Sequence, residues 1–376
     1  MRHAGQSDVR LTEQGIEEAK NIAPLLSSIH FDKVFSSDLS RAMDTQSFSL
    51  PGRTAVCTPL LREFDVGSLS GRLFADTTEE YGVDFKKLRN YRPFGGENMD
   101  DVCRRVKAFL QQLEESPCNN VIAYVHNGVM NCMLKLVFGC DYEMSSAYSH
   151  NCAINVFDYD GEKWNLLCWD YMNRFDPSQL KDDEKVLFLV RHGQSEANLM
   201  DAYGGQYDWK LTPKGIKDAE NIRPILAYHQ FDKVYCSDLS RAICTQQTAL
   251  PGRAAVITPL VREIDEGDLV GTGIKDSIEK YGNDFRIRRD YTQFNGESAP
   301  AMRKRIEEFL QIVEKDNSQV SIVFAHNGTM NTMLEIAMNA DYDRTALESV
   351  NCGIHIFMFS NKKWRLVAWN YMYSIT

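Results

Sequence analysis

Apolar residues in this chain follow two rhythms. Between residues 186 and 376, short continuous runs alternate with stretches in which apolar positions recur every three or four residues. The runs at 186–190, 233–236, 254–257 and 320–325 have the length of strands. The stretch 214–222 places Ile216, Ala219 and Ile222 on one helical face, and 239–249 and 328–338 read as further helices. Ile306, Phe309, Leu310 and Val313 make 302–314 strongly amphipathic. Pro24 and Pro224 should end or kink the helices they fall in. The segments 353–359 and 364–369 read as a hairpin. Strand–helix alternation argues an α/β sandwich around a largely parallel sheet. In such sheets, sites lie beyond the carboxyl ends of the strands.

The pattern occurs twice. LTEQGIEEAKNI from Leu11 returns as LTPKGIKDAENI from Leu211, and FDKVFSSDLSRA from Phe31 returns as FDKVYCSDLSRA from Phe231. YVHNGVMNCML from Tyr124 returns as FAHNGTMNTML from Phe324. The offset is 200 from Leu11 onward. A unit this long is a domain rather than a solenoid repeat. The polar stretch 173–185, NRFDPSQLKDDEK, reads as a linker, which places the domains at 1–172 and 186–376.

Composition narrows the function. The chain has 376 residues, 43% apolar and 25% charged, an ordinary globular mixture. No apolar run reaches the roughly 18 residues of a membrane span, and no secretory signal opens the chain. A formal charge of −10 argues against nucleic-acid binding but leaves a local cationic pocket open. The ten Cys form no C-x-x-C pair, which fits reduced, mostly buried thiols in a cytosolic protein. The pattern sets no oligomeric state.

The polar residues that follow the predicted strands of the second repeat are Arg191 and His192, then Arg241, Glu263 and His326. Two Arg, two His and a carboxylate suit a dianionic phosphoryl group, because guanidinium forks match phosphate oxygens in pairs. Nearby Arg charge should keep His192 neutral and nucleophilic. A carbonyl just after His192 could fix its tautomer, and Gly193 lets the chain turn there. The helix after His326 would aim its N-terminal N–H groups at an anion. Between residues 279 and 294, Arg286, Arg288 and Arg289 could grip a second anionic group beside Tyr281, Phe285 and Tyr291. The same stretch also reads as a solvated helix face with a few core aromatics.

In order along the chain, LVRHGQSEAN, LTPKG, SDLSRAICTQQTAL, PLVREIDEGDLVG, NGES and IVFAHNGTMN resemble the landmarks of the histidine phosphatase superfamily, also called phosphoglycerate-mutase-like. The resemblance covers nearly the whole chain, twice. It implies two tandem three-layer α/β/α sandwich domains, each with a mostly parallel central sheet. It also implies that His192 is the phospho-accepting nucleophile, that Arg191, Arg241 and His326 bind phosphoryl oxygens, and that Glu263 is the proton donor. Ser195, Asn198 and Asn327 fall on further substrate-facing positions of the motifs, with Arg289 in the specificity segment. The family needs no metal or other cofactor. The expected activity is hydrolysis of a small phosphomonoester, or of a phosphoprotein, in the cytoplasm. The alternatives are a phosphoglycerate-type mutase and a phospho-ligand-binding or scaffold protein with an inactive first domain.

The first repeat opens MRHAGQSD and retains Arg2, His3, Arg41, Glu63 and His126 as a second constellation. His192 precedes Leu211 by 19 positions and His3 precedes Leu11 by 8, so the first copy reads as eleven residues shorter after its His. It also lacks the preceding strand. Either the chain is a truncated version of a longer one, or this copy is degenerate, or another segment takes the strand's place.

Overall fold

The computed structural model describes residues 2–85, 89–139, 147, 149–171, 180–339, 347 and 349–371. Residues 173–179 of the expected linker lie outside them. The described residues fall into two compact units, Met1–Ala153 with Tyr159–Trp164, and Ile154–Asp158 with Asn165–Tyr373. No described helix is long and apolar enough to cross a membrane.

The first unit runs α1 (Glu13–Ser27), β1 (Lys33–Ser37), α2 (Ser40–Ser49), β2 (Val56–Thr58), α3 (Phe74–Tyr81), α4 (Met99–Glu114), β3 (Val121–Tyr124) and α5 (Asn127–Phe138). Its described sheet has the order β2-β1-β3, all parallel.

The second unit holds β4 (Ile154–Tyr159), β5 (Trp164–Tyr171), β6 (Lys185–Arg191), α6 (Glu196–Leu199), α7 (Pro213–Leu226), β7 (Lys233–Cys236), α8 (Ser240–Ala249) and β8 (Val256–Ile257). It continues with α9 (Ile274–Tyr281), α10 (Phe285–Arg288), α11 (Ala299–Lys315), β9 (Val320–Ala325), α12 (Asn327–Met338), β10 (Ile354–Ser360) and β11 (Lys363–Tyr371). The sheet order is β4-β5-β11-β10-β6-β9-β7-β8. The half from β6 to β8 is parallel, and β10, β11 and β5 extend it antiparallel. The hairpin expected near residue 360 is β10–β11. Its counterpart from the first repeat, β4–β5, lies at the far end of this same sheet, with Trp169 opposite Trp369.

The apolar runs explain the layering. Side chains alternate between the faces of a strand. Val186, Phe188 and Val190 of β6 pack with Ala219, Ile222 and Leu226 of α7 and with Ala242 and Ala249 of α8. On the other face, α11 buries Met302, Ile306, Phe309, Leu310 and Val313, and the Phe309 ring meets Tyr235 of β7 edge-on at 5.2 Å. Strands buried on both faces read as continuous apolar runs, which is how β6 and β9 look in the sequence.

The structure departs from expectation at two places. Of the end or kink expected at Pro24 and Pro224, the end does not fall there: α1 and α7 run on for three and two residues beyond them. A proline in the last turn removes one hydrogen bond, and burial of Leu26 and Leu226 carries the helix past it.

The second departure is the register of the first repeat. Arg2 bridges Leu73 as Ala202 bridges Gly273. The Gly71 and His3 N–H groups donate to His3 and Arg72 carbonyls, as those of Gly271 and Tyr203 do to Tyr203 and Thr272. Arg41 donates to the carbonyls of Gly5 and Ser7, as Arg241 does to those of Gly205 and Tyr207. The offset of 200 therefore extends back to Arg2. The first repeat is not eleven residues shorter after a nucleophile, and its opening Arg-His pair is a coincidence of composition.

Candidate active site

Strands β6 and β9 are parallel neighbours with Arg191 opposite Ala325. The chain leaves both at the same end of the sheet, and this brings the two histidines together. The His192 N–H donates to the Ala325 carbonyl at 3.0 Å, and the imidazole centroids of His192 and His326 lie 5.1 Å apart. Both residues are buried.

The Nδ1 atom of His192 lies 2.7 Å from the Gly193 carbonyl. A carbonyl only accepts, so Nδ1 carries the proton and Nε2 carries the lone pair. Burial, then Arg241, then Arg191 hold the His192 pKa well below its usual 6.5, against the opposing bond to Gly193. His326 is lowered in the same way, by burial first and Arg241 second. Its Nε2 meets the Ser237 hydroxyl at 2.9 Å, and its Nδ1 has no partner among the described residues. Gly193 is required by close approach rather than by an unusual backbone angle: a Cβ there would lie 2.2 Å from the Gly215 carbonyl oxygen.

Arg241 projects from the first turn of α8, and Arg191 reaches the Ser349 carbonyl. Thr245 ties the two segments, accepting from Gly193 N at 3.0 Å and donating to the Arg241 carbonyl at 2.7 Å. Glu263 sits at the start of α12: its Oε1 accepts from Gly328 N at 3.0 Å and from Ile264 N at 2.8 Å. Gly328 leaves room for this carboxyl, since a Cβ there would fall 2.0 Å from Glu263 Oε1.

Ser195 caps α6 in a reciprocal box with Asn198. The Asn198 Oδ1 accepts from Ser195 N, Ser195 Oγ and Asn351 Nδ2. Asn327 opens α12 and is bound by Asn331 through both its carbonyls. One expectation fails here. Arg289 does not face a ligand. It is buried, donates to the Gly328 carbonyl at 3.0 Å and to Thr332 Oγ1 at 3.0 Å, and pairs with the buried Glu335 at 3.2 Å. Burying a guanidinium demands partners, and these consume its fork. Arg286 pairs with Asp284.

Sequence reasoning missed several supporting groups. Arg305 donates to the carbonyls of Leu260, Arg262 and Glu263 and pairs with Glu297, bracing the segment that carries Glu263. The Arg-Glu pairs at 62–63 and 262–263, the G-G-E and N-G-E stretches at 95–97 and 295–297, and the arginines at 105 and 305 held that signal. Asn351 donates to the His192 carbonyl at 3.2 Å. Glu266 accepts from Gly205 N at 2.6 Å; burial first and Glu263 second push its pKa up to about 8. In the first repeat this position is Val66.

In the first unit Arg41, Glu63 and His126 repeat their counterparts. Glu63 Oε1 accepts from Gly128 N at 3.1 Å, and burial chiefly brings the His126 pKa down to about 4. Arg2 and His3 do not join them, which corrects the expected second constellation. Arg2 bonds the Gly71 carbonyl at 2.7 Å on the surface. His3 stands where Tyr203 stands in the second unit, its ring 3.8 Å from that of Phe74 and its Nε2 2.9 Å from Thr77 Oγ1. Among the described residues of this unit, none occupies the place of His192. Among the described residues of the chain, no group of three or more His, Cys, Asp or Glu is placed to hold a metal ion.

The model of the histidine phosphatase superfamily (branch 1) matches residues 1–171 and again 187–372. An adenosylcobalamin/α-ribazole phosphatase of Salmonella typhimurium is 31% identical over 155 residues, 39% of this chain and 77% of that protein. A 2,3-bisphosphoglycerate-dependent phosphoglycerate mutase of Cytophaga hutchinsonii is 32% identical over 190 residues, 47% of this chain and 89% of that protein. Among solved structures, a putative α-ribazole-5'-P phosphatase from Escherichia coli is 26% identical and aligns with a TM-score of 0.45, covering 50% of this chain and 97% of the other.

Proposed function

The chain belongs to the histidine phosphatase superfamily (branch 1) through both repeats, and from that premise we propose that its second unit hydrolyses a phosphomonoester through a phosphohistidine on His192. The observation that carries the reading is the bond from His192 Nδ1 to the Gly193 carbonyl at 2.7 Å, which leaves the Nε2 lone pair as the reactive end of a ring held neutral. In the first step Nε2 attacks phosphorus in line. The ester P–O bond breaks, and a protonated Glu263 gives its proton to the departing oxygen. In the second step water attacks the phosphohistidine, passes a proton to the Glu263 carboxylate, and the P–N bond breaks to release orthophosphate. Arg191, Arg241 and His326 hold the phosphoryl oxygens, and fixed positive charge does the work that reorganising water would otherwise do. Ser195, Asn198 and Asn327 line the approach to this centre, and no step calls for a metal.

The test is turnover of a phosphomonoester panel that includes p-nitrophenyl phosphate, α-ribazole phosphate and 3-phosphoglycerate. We expect His192→Ala to lose nearly all activity and His3→Ala to retain it. Comparable losses in the two variants would overturn the assignment. Glu263→Gln should suffer most on substrates with poor leaving groups, and chelators should leave the rate unchanged. The relationship to a phosphoglycerate mutase favours one second reading, phosphoryl transfer between carbons of a phosphoglycerate. Product analysis decides it, since hydrolysis yields orthophosphate and transfer does not.

A further inference from the structure

The segment from Ser349 to His355 forms a cradle beneath the start of the site loop. The Gly353 carbonyl accepts from Arg191 N at 3.1 Å, and Cys352 N donates to the His192 carbonyl at 3.3 Å. Asn351 Nδ2 donates to that same carbonyl and to Asn198 Oδ1, each at 3.2 Å. The Ser349 carbonyl takes the Arg191 guanidinium. Each of these bonds fixes a group that the proposed chemistry uses.

The cradle is held in turn by Asn370 and His355. Asn370 Oδ1 accepts from Val350 N at 3.3 Å, and Asn370 N donates to His355 Nδ1 at 3.3 Å. A nitrogen that accepts a backbone N–H carries no proton, so the ring proton is on Nε2. That nitrogen donates to Ser349 Oγ at 2.8 Å. The ring is fully buried, its centroid 3.9 Å from that of Trp369, and burial brings its pKa down to about 3, so the tautomer persists at working pH. The packing is tight: Asn370 lies at φ 48°, and a Cβ on Gly353 would fall 2.6 Å from Asn370 Oδ1. Finally, Asn370 Nδ2 donates at 2.7 Å to the carbonyl of Leu167 on β5, a strand that the first repeat supplies. Among the described residues the first repeat keeps one link of this network: Asp170 N donates to Asn155 Oδ1 at 2.9 Å, as Asn370 N does to His355 Nδ1. Asp170 has no side-chain amide to match the Asn370 Nδ2 that donates to Leu167.

We infer that Asn370 and His355 are positioning residues for the Arg191–His192 pair, and that strand β5 of the first repeat is thereby a working part of the second unit's site. The inference rests on the reading of Arg191 and His192 as the phosphoryl-transfer pair. Unchanged turnover in His192→Ala would sink that reading by itself, before any positioning residue is considered.

The experiment uses the full chain. Asn370→Asp keeps the size and the Oδ1 acceptor but removes the donor to Leu167. Ser349→Ala keeps the carbonyl under Arg191 but cuts the tie to His355. Val313→Ala, in the core of α11, is a control that loosens the same unit away from the cradle. Steady-state constants with p-nitrophenyl phosphate and the inhibition constant of orthophosphate are measured well below each thermal midpoint. A misplacement of ~1 Å costs about a hundredfold in rate, so partial loosening should cost about tenfold. We expect Asn370→Asp to lower kcat about tenfold and weaken orthophosphate inhibition by a similar factor. Ser349→Ala should move both about threefold in the same direction. Val313→Ala should lower the midpoint with both constants within about twofold of wild type. If the two cradle variants lose midpoint like the control and keep wild-type kcat and inhibition, the inference is wrong. If Asn370→Asp does not fold, Ser349→Ala decides the matter alone.

Discussion

The proposed attack on phosphorus needs an uncharged imidazole, and the structure favours that form chiefly by burying His192 and secondly by facing it with Arg241 and Arg191. The same holds for His326. The sign is therefore fixed. The unfolded chain takes up protons on these rings as pH falls through 6.5, the folded chain does not, and stability declines on the acid side of 6.5. Proton-detected titration of the ring resonances should find both midpoints well below 6.5; a midpoint near 6.5 for either would refute the arrangement. Two glycines offer a sharper test, because what a Cβ would strike differs. At position 193 it would strike backbone, the Gly215 carbonyl oxygen at 2.2 Å, so Gly193→Ala should cost ~3 kcal/mol in urea unfolding. At position 328 it would strike the movable end of Glu263 at 2.0 Å. Gly328→Ala should therefore keep most of its stability and lose about tenfold in kcat as the carboxyl is displaced. The sequence marked Gly193 as special but for the wrong reason. A triplet cannot reveal that another loop passes within contact distance of it.

Elements carried more of the sequence signal than single residues did. Runs buried on both faces named β6 and β9, and their carboxyl ends named His192 and His326, because the strand period and the site rule of α/β sheets are both local to the chain. What the runs could not give was the pairing of β6 with β9, which sets Arg191 opposite Ala325. Nor could they show that Pro224 would sit inside α7, since that depends on the buried Leu226 beyond it. The segment with Arg286, Arg288 and Arg289 shows the same limit. Three arginines at near-helical spacing look alike in sequence, yet one is buried against α12 while its neighbours point outward. This separates two roles by experiment. Removing one partner of a buried ion pair strands the other, so Arg289→Ala should destabilise by ~3–5 kcal/mol. Arg288→Ala, at an exposed position, should change stability by no more than about 0.5 kcal/mol. A raised KM with unchanged stability in Arg289→Ala would restore the substrate-gripping role that the sequence suggested.

At the scale of the molecule, the repeat was the most legible feature and its first ten residues the least. The Arg-His pair at positions 2 and 3 drew the comparison to Arg191 and His192, although HAGQSD aligns without a gap on YGGQYD at 203–208. Identity of two residues competed with a register of 200 maintained by every later segment, and the hydrogen bonds of Arg41 and Arg241 settle it for the register. The consequence is an asymmetry in anion binding. In the proposed site the second unit offers orthophosphate two guanidinium groups, Arg191 and Arg241, and the His326 imidazole, whereas the described residues of the first offer Arg41 and His126 at the corresponding places. A hydrogen bond to a charged group contributes about 1.5–3 kcal/mol. Loss of one arginine then separates the two affinities by ~1.5–3 kcal/mol, which is about ten- to a hundredfold. Titration calorimetry of the full chain with orthophosphate should show one tight site, abolished by Arg241→Ala and untouched by Arg41→Ala. Two sites of equal affinity, or a tight site that follows Arg41, would mean that the cage around phosphorus is not built where the two parallel strands end.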